Sequence, residues 1–301
     1  MLEQIIGNQP LRETLGAALA GRRLAHSVLL CGEEGSGTGF AARCLAADYL
    51  YPGGGPGARQ VLAGESPECI AVRGEGASGE IRIDRIRQVR RQVFDTALSA
   101  AGRVVILYDV QMLNQASANA LLKVLEEPPA GVLFILTANS RGSVLGTIRS
   151  RCAVYTVAPV GCEACAAWLR QNCPGCSPDP AFLARLYDGH IGLCRAVATD
   201  PARRSLLQTA RELADLAARR SEYELLRLLS GFEKDKPGAQ TVLRDLACLA
   251  SATLKEPGFC PLTPVQAGHA ILRADEAAAA LAANGNAKIV LTNLGIRLAR
   301  L

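Results

Sequence analysis

No stretch of this chain approaches the roughly 18 uninterrupted apolar residues that a membrane helix needs, although 49% of its 301 residues are hydrophobic. Its first residues, Met1-Leu-Glu-Gln, also lack the basic region followed by an apolar one that marks an export signal. These two absences argue against a membrane role and predict a soluble, cytoplasmic protein. Lysine is missing from the whole first third, the first being Lys123. The excess of either sign is small as well, with 33 Lys and Arg against 28 Asp and Glu. A net charge of +5 is compatible with touching DNA and does not demand it. There is no internal repeat, and the Ala-rich segment Ala274–Ala283 reads as good helix-forming sequence.

Cysteine, by contrast, is plentiful. An odd count of 11 without an export signal points to reduced thiols, most of them small core residues, and not to a disulfide framework. Cys162-x2-Cys165 followed by Cys173-x2-Cys176 has the pairing of a tetrahedral zinc site. However, the residues between the pairs look helical and the gap is short for such a site. Helix packing is the competing reading, and no metal is expected.

The chain reads as three parts. Residues 1–157 alternate helices with short apolar runs, at Ser27–Cys31, Val104–Tyr108 and Leu133–Thr137. Runs of this length bounded by polar or Gly-rich turns suit buried parallel strands covered on both faces, so the class is α/β. The stretch Tyr51 to Gly57 (YPGGGPG) is expected to be a surface loop. Residues 158–202 predict a small helical domain, with helices starting near Cys162 and Asp179. Residues 203–301 carry apolar positions at helical spacing, such as Leu206, Leu213 and Leu216, and predict a helical bundle.

After the first apolar run comes Gly32-Glu-Glu-Gly-Ser-Gly-Thr-Gly39. Its glycines follow the phosphate-loop pattern G-x-x-x-x-G-K-[ST], in the strand, loop, helix context that lets backbone N–H groups cradle phosphate. Gly32, Gly35, Ser36, Gly37, Thr38 and Gly39 are therefore candidate nucleotide-pocket residues. Yet Thr38 stands where lysine would reach the β- and γ-phosphates, and Gly39 where a hydroxyl would hold magnesium. No other lysine is near in sequence, so a loop kept to close a strand–helix junction is the better reading, and no cofactor is expected. The second run ends at Asp109, which could hold magnesium through water but is followed by Val110 and not by Glu. A turn or helix cap is its plainer role.

Two longer segments carry a resemblance: Asn114 to Pro129 (NQASANALLKVLEEPP) and Thr147-Ile-Arg-Ser-Arg-Cys152. With Ile5-Ile-Gly-Asn-Gln, Arg23-Leu-Ala-His26, Ile83-Asp-Arg-Ile-Arg87 and Asn284-Gly-Asn-Ala-Lys-Ile-Val-Leu291, they resemble bacterial clamp-loader proteins of the AAA+ class. The resemblance is to the delta prime type of DNA polymerase III in particular, which the altered phosphate loop selects over the related ATPase subunits.

That resemblance implies an AAA+ domain, a helical lid and a helical collar that oligomerises. It implies a non-hydrolysing subunit helping to load the sliding clamp on primed DNA, with gamma/tau ATPase and delta subunits as partners. Arg151 would be an arginine finger acting in trans, its plain alternative being a surface salt bridge. Asn139 would occupy the sensor-1 neighbourhood and Arg195 the sensor-2 position, both vestigial, with helix capping for Asn139 and solvent or interdomain pairing for Arg195 as their plainer roles. The chain departs from many family members in having no cysteine between Tyr51 and Pro67, where they carry a zinc module.

Arg85, Arg87, Arg90 and Arg91 form a basic helix that could face DNA, or be a solvated face paired with Asp84 and Asp95. Glu126 and Glu127 read as a helix end stopped by Pro128. The alternatives are a gamma/tau-like ATPase with an unusual loop, and an interaction protein organised by metal on the four cysteines.

Overall fold

The computed structural model describes residues 1–76, 79–93 and 102–301. It divides into two compact units, the first Met1–Ala164 with Gly189–Gly192, the second Cys165–Asp188 with Leu193–Leu301.

The first unit runs α1 (Gln9–Ala20), β1 (Ser27–Cys31), α2 (Thr38–Leu50), α3 (Pro56–Ala63), β2 (Cys69–Val72), α4 (Ile83–Gln92), β3 (Arg103–Leu107), α5 (Gln115–Glu126), β4 (Val132–Ala138), α6 (Gly146–Arg149) and β5 (Ala153–Thr156). Its strands form one sheet in the order β2-β3-β4-β1-β5, every pairing parallel. Because side chains alternate across a strand, Val28, Leu30, Ile106 and Ile135 pack with α1, α2 and α3 on one face. Leu29, Val105, Leu107, Phe134 and Leu136 pack with α4 and α5 on the other. Both faces are thus covered, which is why β1 and β4 are buried along their whole length.

The three runs expected as strands are β1, with the expected ends, and β3 and β4, with ends shifted by a residue. Two further strands, β2 and β5, are additions to the expectation, and both are sheet edges. The stretch expected to loop through Gly57 turns helical sooner: Pro56 opens α3 at a first-turn position where its missing N–H costs nothing.

The second unit is helical throughout its described residues. It comprises most of α7 (Cys162–Asn172), then α8 (Pro180–Leu186), most of α9 (Ile191–Thr199), and α10 (Pro201–Ala218), α11 (Glu222–Ser230), α12 (Lys236–Lys255), α13 (Pro264–Ala282) and α14 (Ala287–Leu298). The starts are written in the sequence. Asp179 accepts from the N–H groups of Ala181 and Phe182, Thr263 and Gln266 form a reciprocal capping box, and Asn286 accepts from Ile289 N–H.

Two contacts fasten α8 and its flank to the long helices. Phe182 stacks on Phe259 with ring centres 5.0 Å apart, and the guanidiniums of Arg211 and Arg185 lie over the outer faces. Deeper, Arg203 grips the fully buried carboxylate of Asp245 at 2.5 and 2.6 Å, and Tyr187 Oη donates to the same carboxylate at 3.0 Å. Burial, with the Asp245 charge beside it, holds the Tyr187 phenol far above its ordinary range.

Candidate functional site

The loop between β1 and α2 has the backbone of a phosphate cradle. Gly35 and Gly37 take positive φ angles of 85° and 98°, which glycine adopts without strain, and Gly37 caps α2 without a side chain. Gly32 is required by close approach, since a Cβ there would stand 2.3 Å from the Val157 carbonyl oxygen. That Cβ would also stand 2.5 Å from Ser36 Oγ, so the buried Ser36 hydroxyl lies against Gly32.

Three features of the first unit leave this cradle a poor fit for a nucleotide and its magnesium. Thr38 opens α2 where a long cation would be needed. The Tyr108 ring lies against Gly39, so that a Cβ at Gly39 would meet Tyr108 Cε1 at 3.2 Å. The ring is itself covered by the Arg73 guanidinium, 3.5 Å from its centre. Finally, Gly192 rests on the loop: its N–H donates to the Gly35 carbonyl at 2.8 Å, and His190 Nε2 meets Glu33 Oε2 at 3.1 Å.

Restoring only the two missing side chains, as Thr38→Lys with Gly39→Ser, is therefore expected to give no nucleotide binding in titration calorimetry. Binding at micromolar concentrations by that double variant would show the loop is open after all.

Tyr108 was not legible as the occupant of this space, because the sequence pattern draws attention to the acid that follows it. Asp109 is exposed, with a left-handed φ of 54°, and its N–H donates to the buried Thr137 hydroxyl at 3.1 Å. It shapes the turn after β3. Asn139 follows β4, exposed, and accepts from Ser143 Oγ at 2.6 Å. Arg195 is exposed on α9, and its side chain makes no ion pair among the described residues.

Arg151 lies at the other end of the sheet. It directly precedes β5, which runs parallel to β1 with Val28 opposite Ala153 and Cys31 opposite Thr156. The phosphate loop leaves the far end of β1. At about 3.3 Å per residue, roughly 15 Å of strand separates the two. The Arg151 side chain is about one-third exposed; its Nη1 donates to the Thr147 carbonyl at 2.9 Å, and its Nη2 pairs with Glu126 Oε1 at 2.5 Å. Glu126 is the last residue of α5, where the chain is stopped before Pro128. These residues, with His26, Leu125, Ser150 and Cys152, line an open cleft of about 670 Å³. The surface salt bridge weighed for Arg151 is thus present, and its acid is one that the sequence suggested only as a helix end.

The described residues hold no cluster of three or more His, Cys, Asp or Glu suited to a metal ion. Cys165 is directed at Cys194 of α9, 3.7 Å away and equally buried, instead of at the second cysteine pair. Burial also pushes the Cys44 and Cys152 thiols up to about 12, so both are inert at neutral pH. On α4, Arg87 pairs with Asp84 at 3.3 Å and Arg85 donates to Gln88 and to the Ala71 carbonyl. Arg90 and Arg91 are exposed, and Asp95 lies outside the described residues. No described helix is long and apolar enough to cross a membrane.

Comparison with known proteins agrees with this architecture. The family described as DNA polymerase III, delta subunit, matches residues 7–161, more than half of the chain. The delta prime subunit of DNA polymerase III from Yersinia pestis is 31% identical over 170 residues, 54% of this chain and 50% of that protein. The gamma/tau subunit from Mycobacterium bovis is 32% identical over 160 residues, 50% of this chain and 28% of that protein. The matched segment thus spans about half the length of the delta prime relative. Among solved structures, a DNA polymerase III gamma subunit-related protein from Thermotoga maritima aligns with a TM-score of 0.56 at 19% identity, covering 95% of this chain and 98% of that one. That likeness establishes the fold. With the family match centred on the sheet unit and both signature segments inside it, the chain belongs to the delta prime clamp-loader family of DNA polymerase III.

Proposed function

We propose that this chain is a non-hydrolysing clamp-loader subunit that helps to place the sliding clamp on primed DNA and lends Arg151 to the nucleotide site of a neighbouring ATPase. The observation that carries the reading is the separation of loop and finger. Arg151 stands at the sheet end opposite the chain's own phosphate loop, so any phosphate it meets belongs to another molecule. A guanidinium aimed at a γ-phosphate stabilises the charge that develops during phosphoryl transfer.

In this reading residues 1–157 are the AAA+ domain, 158–202 the lid and 203–301 the collar that joins gamma/tau and delta subunits. Asn139 and Arg195 are remnants of a pocket without a client. The similarity to gamma/tau proteins favours an ATPase as the second reading; Thr38, Gly39 and the Tyr108 ring speak against it. Helix α4 is best regarded as a solvated face, because its charges are partly paired within the helix.

The test is the ATPase activity of the purified chain, alone and then assembled with gamma/tau and delta subunits, clamp and primed DNA. The chain alone is expected to be inactive, and the assembly active and dependent on Arg151. Hydrolysis by the isolated chain would place it among the motor subunits.

A further inference from the structure

We infer that Glu126 is a parking partner for Arg151, holding the guanidinium within its own unit until a neighbour's triphosphate takes it over. The inference rests on the proposed trans finger and deepens it.

The geometry carries three steps. First, the finger does not stand free: Nη2 is 2.5 Å from Glu126 Oε1 and Nη1 is 2.9 Å from the Thr147 carbonyl, so each terminal nitrogen has a donor engaged. A carboxylate at that distance cancels most of the field that the guanidinium would otherwise project into the cleft.

Second, the pair is built to be given up. The side chains are 35% and 47% exposed, which places the pair among the exposed ion pairs that contribute little to folding and are screened by salt. A phosphate group, carrying more charge and more acceptor oxygens than one carboxylate, competes well for such a guanidinium. The buried pair of Arg203 with Asp245 shows the contrasting, permanent arrangement in the same chain.

Third, Glu126 has no evident local task that would explain a carboxylate there. It closes α5, and a negative charge at a helix C-terminus opposes the helix dipole. The residue is therefore better accounted for by its partner than by its helix. It lies beside Arg151 on the wall of the same open cleft, so the exchange is open to solvent and to a phosphate entering the cleft.

The experiment compares wild type, Glu126→Gln, Arg151→Ala and the double variant in the loader assembled with its ATPase subunits, clamp and primed DNA. Glu126→Gln is expected to raise the single-turnover rate at the site Arg151 serves about two- to fivefold at low salt, the weight of one exposed ion pair, and bulk turnover by that site's share. That gain should shrink as ionic strength rises. The same change should have no effect in the Arg151→Ala background, and the thermal midpoint of the isolated chain should not move. Turnover that falls or stays level with Glu126→Gln, while Arg151→Ala still lowers it, overturns the parking role and leaves the finger standing. An equal response to Glu126→Gln with and without Arg151 also overturns it. No response to Arg151→Ala removes the finger, and the parking role with it.

Discussion

Arg151→Ala is expected to slow the nucleotide site that this chain is proposed to serve by about 10³- to 10⁵-fold, the range seen when a finger is withdrawn from phosphoryl transfer. Bulk ATP turnover of the assembled loader should fall by the share of that one site. Arg151→Lys should recover only part of the loss, because an ammonium keeps the charge but not the planar fork that meets two phosphate oxygens. The side chain is one-third exposed and its only ion pair among the described residues is with Glu126 on the surface, so the substitution should leave the fold intact. Single-turnover hydrolysis by the assembly, beside a thermal melt of the chain, separates the two effects. An unchanged single-turnover rate would sink the trans reading.

The largest expected effect on stability lies in the second unit. Asp245 has no solvent-exposed surface, and it is held by both terminal nitrogens of Arg203 and by the Tyr187 hydroxyl. Removing the carboxylate as Asp245→Ala leaves a guanidinium buried without its counter-charge and costs about 3–5 kcal/mol. The loss should appear in urea unfolding as a lower midpoint. Asp245→Leu together with Arg203→Met should be much less harmful than either change alone, since replacing both charges with apolar groups removes the desolvation burden. A pair of single changes that simply add would mean that the two residues do not act as a unit.

What could be foreseen from the sequence, and what could not, follows from how each part is buried. Strands β1, β3 and β4 occupy the middle of the sheet, are covered on both faces, and so appear as continuous apolar runs. Strands β2 and β5 are edges of four residues with mixed exposure, and Cys69–Val72 and Ala153–Thr156 therefore show neither a long run nor a clean alternation. The start of α3 was obscured by the glycines before Pro56, which promise a loop longer than the one formed.

At the candidate site the missing lysine was legible in Thr38, and the helix starts were legible in Asp179 and Asn286. The Tyr108 ring against Gly39 and the seating of Gly192 on Gly35 were not. Both join residues more than 60 positions apart, and no local pattern encodes such a meeting. Glu126 beside Arg151 is of the same kind: two short motifs, each visible separately, whose adjacency exists only once β5 has been laid along β1.

The parallel arrangement of β1 and β5 also has an arithmetical consequence. A unit that receives at one end of its strands and donates at the other is a directed link, and units of this kind join head to tail. A closed circle of such links has as many junctions as members. If the proposed trans role holds, a member whose phosphate loop is crowded by Tyr108 and Gly192 still completes the circle, but the junction at that end carries no nucleotide. Every circle that contains this chain would then hold at least one fewer nucleotide than it has subunits.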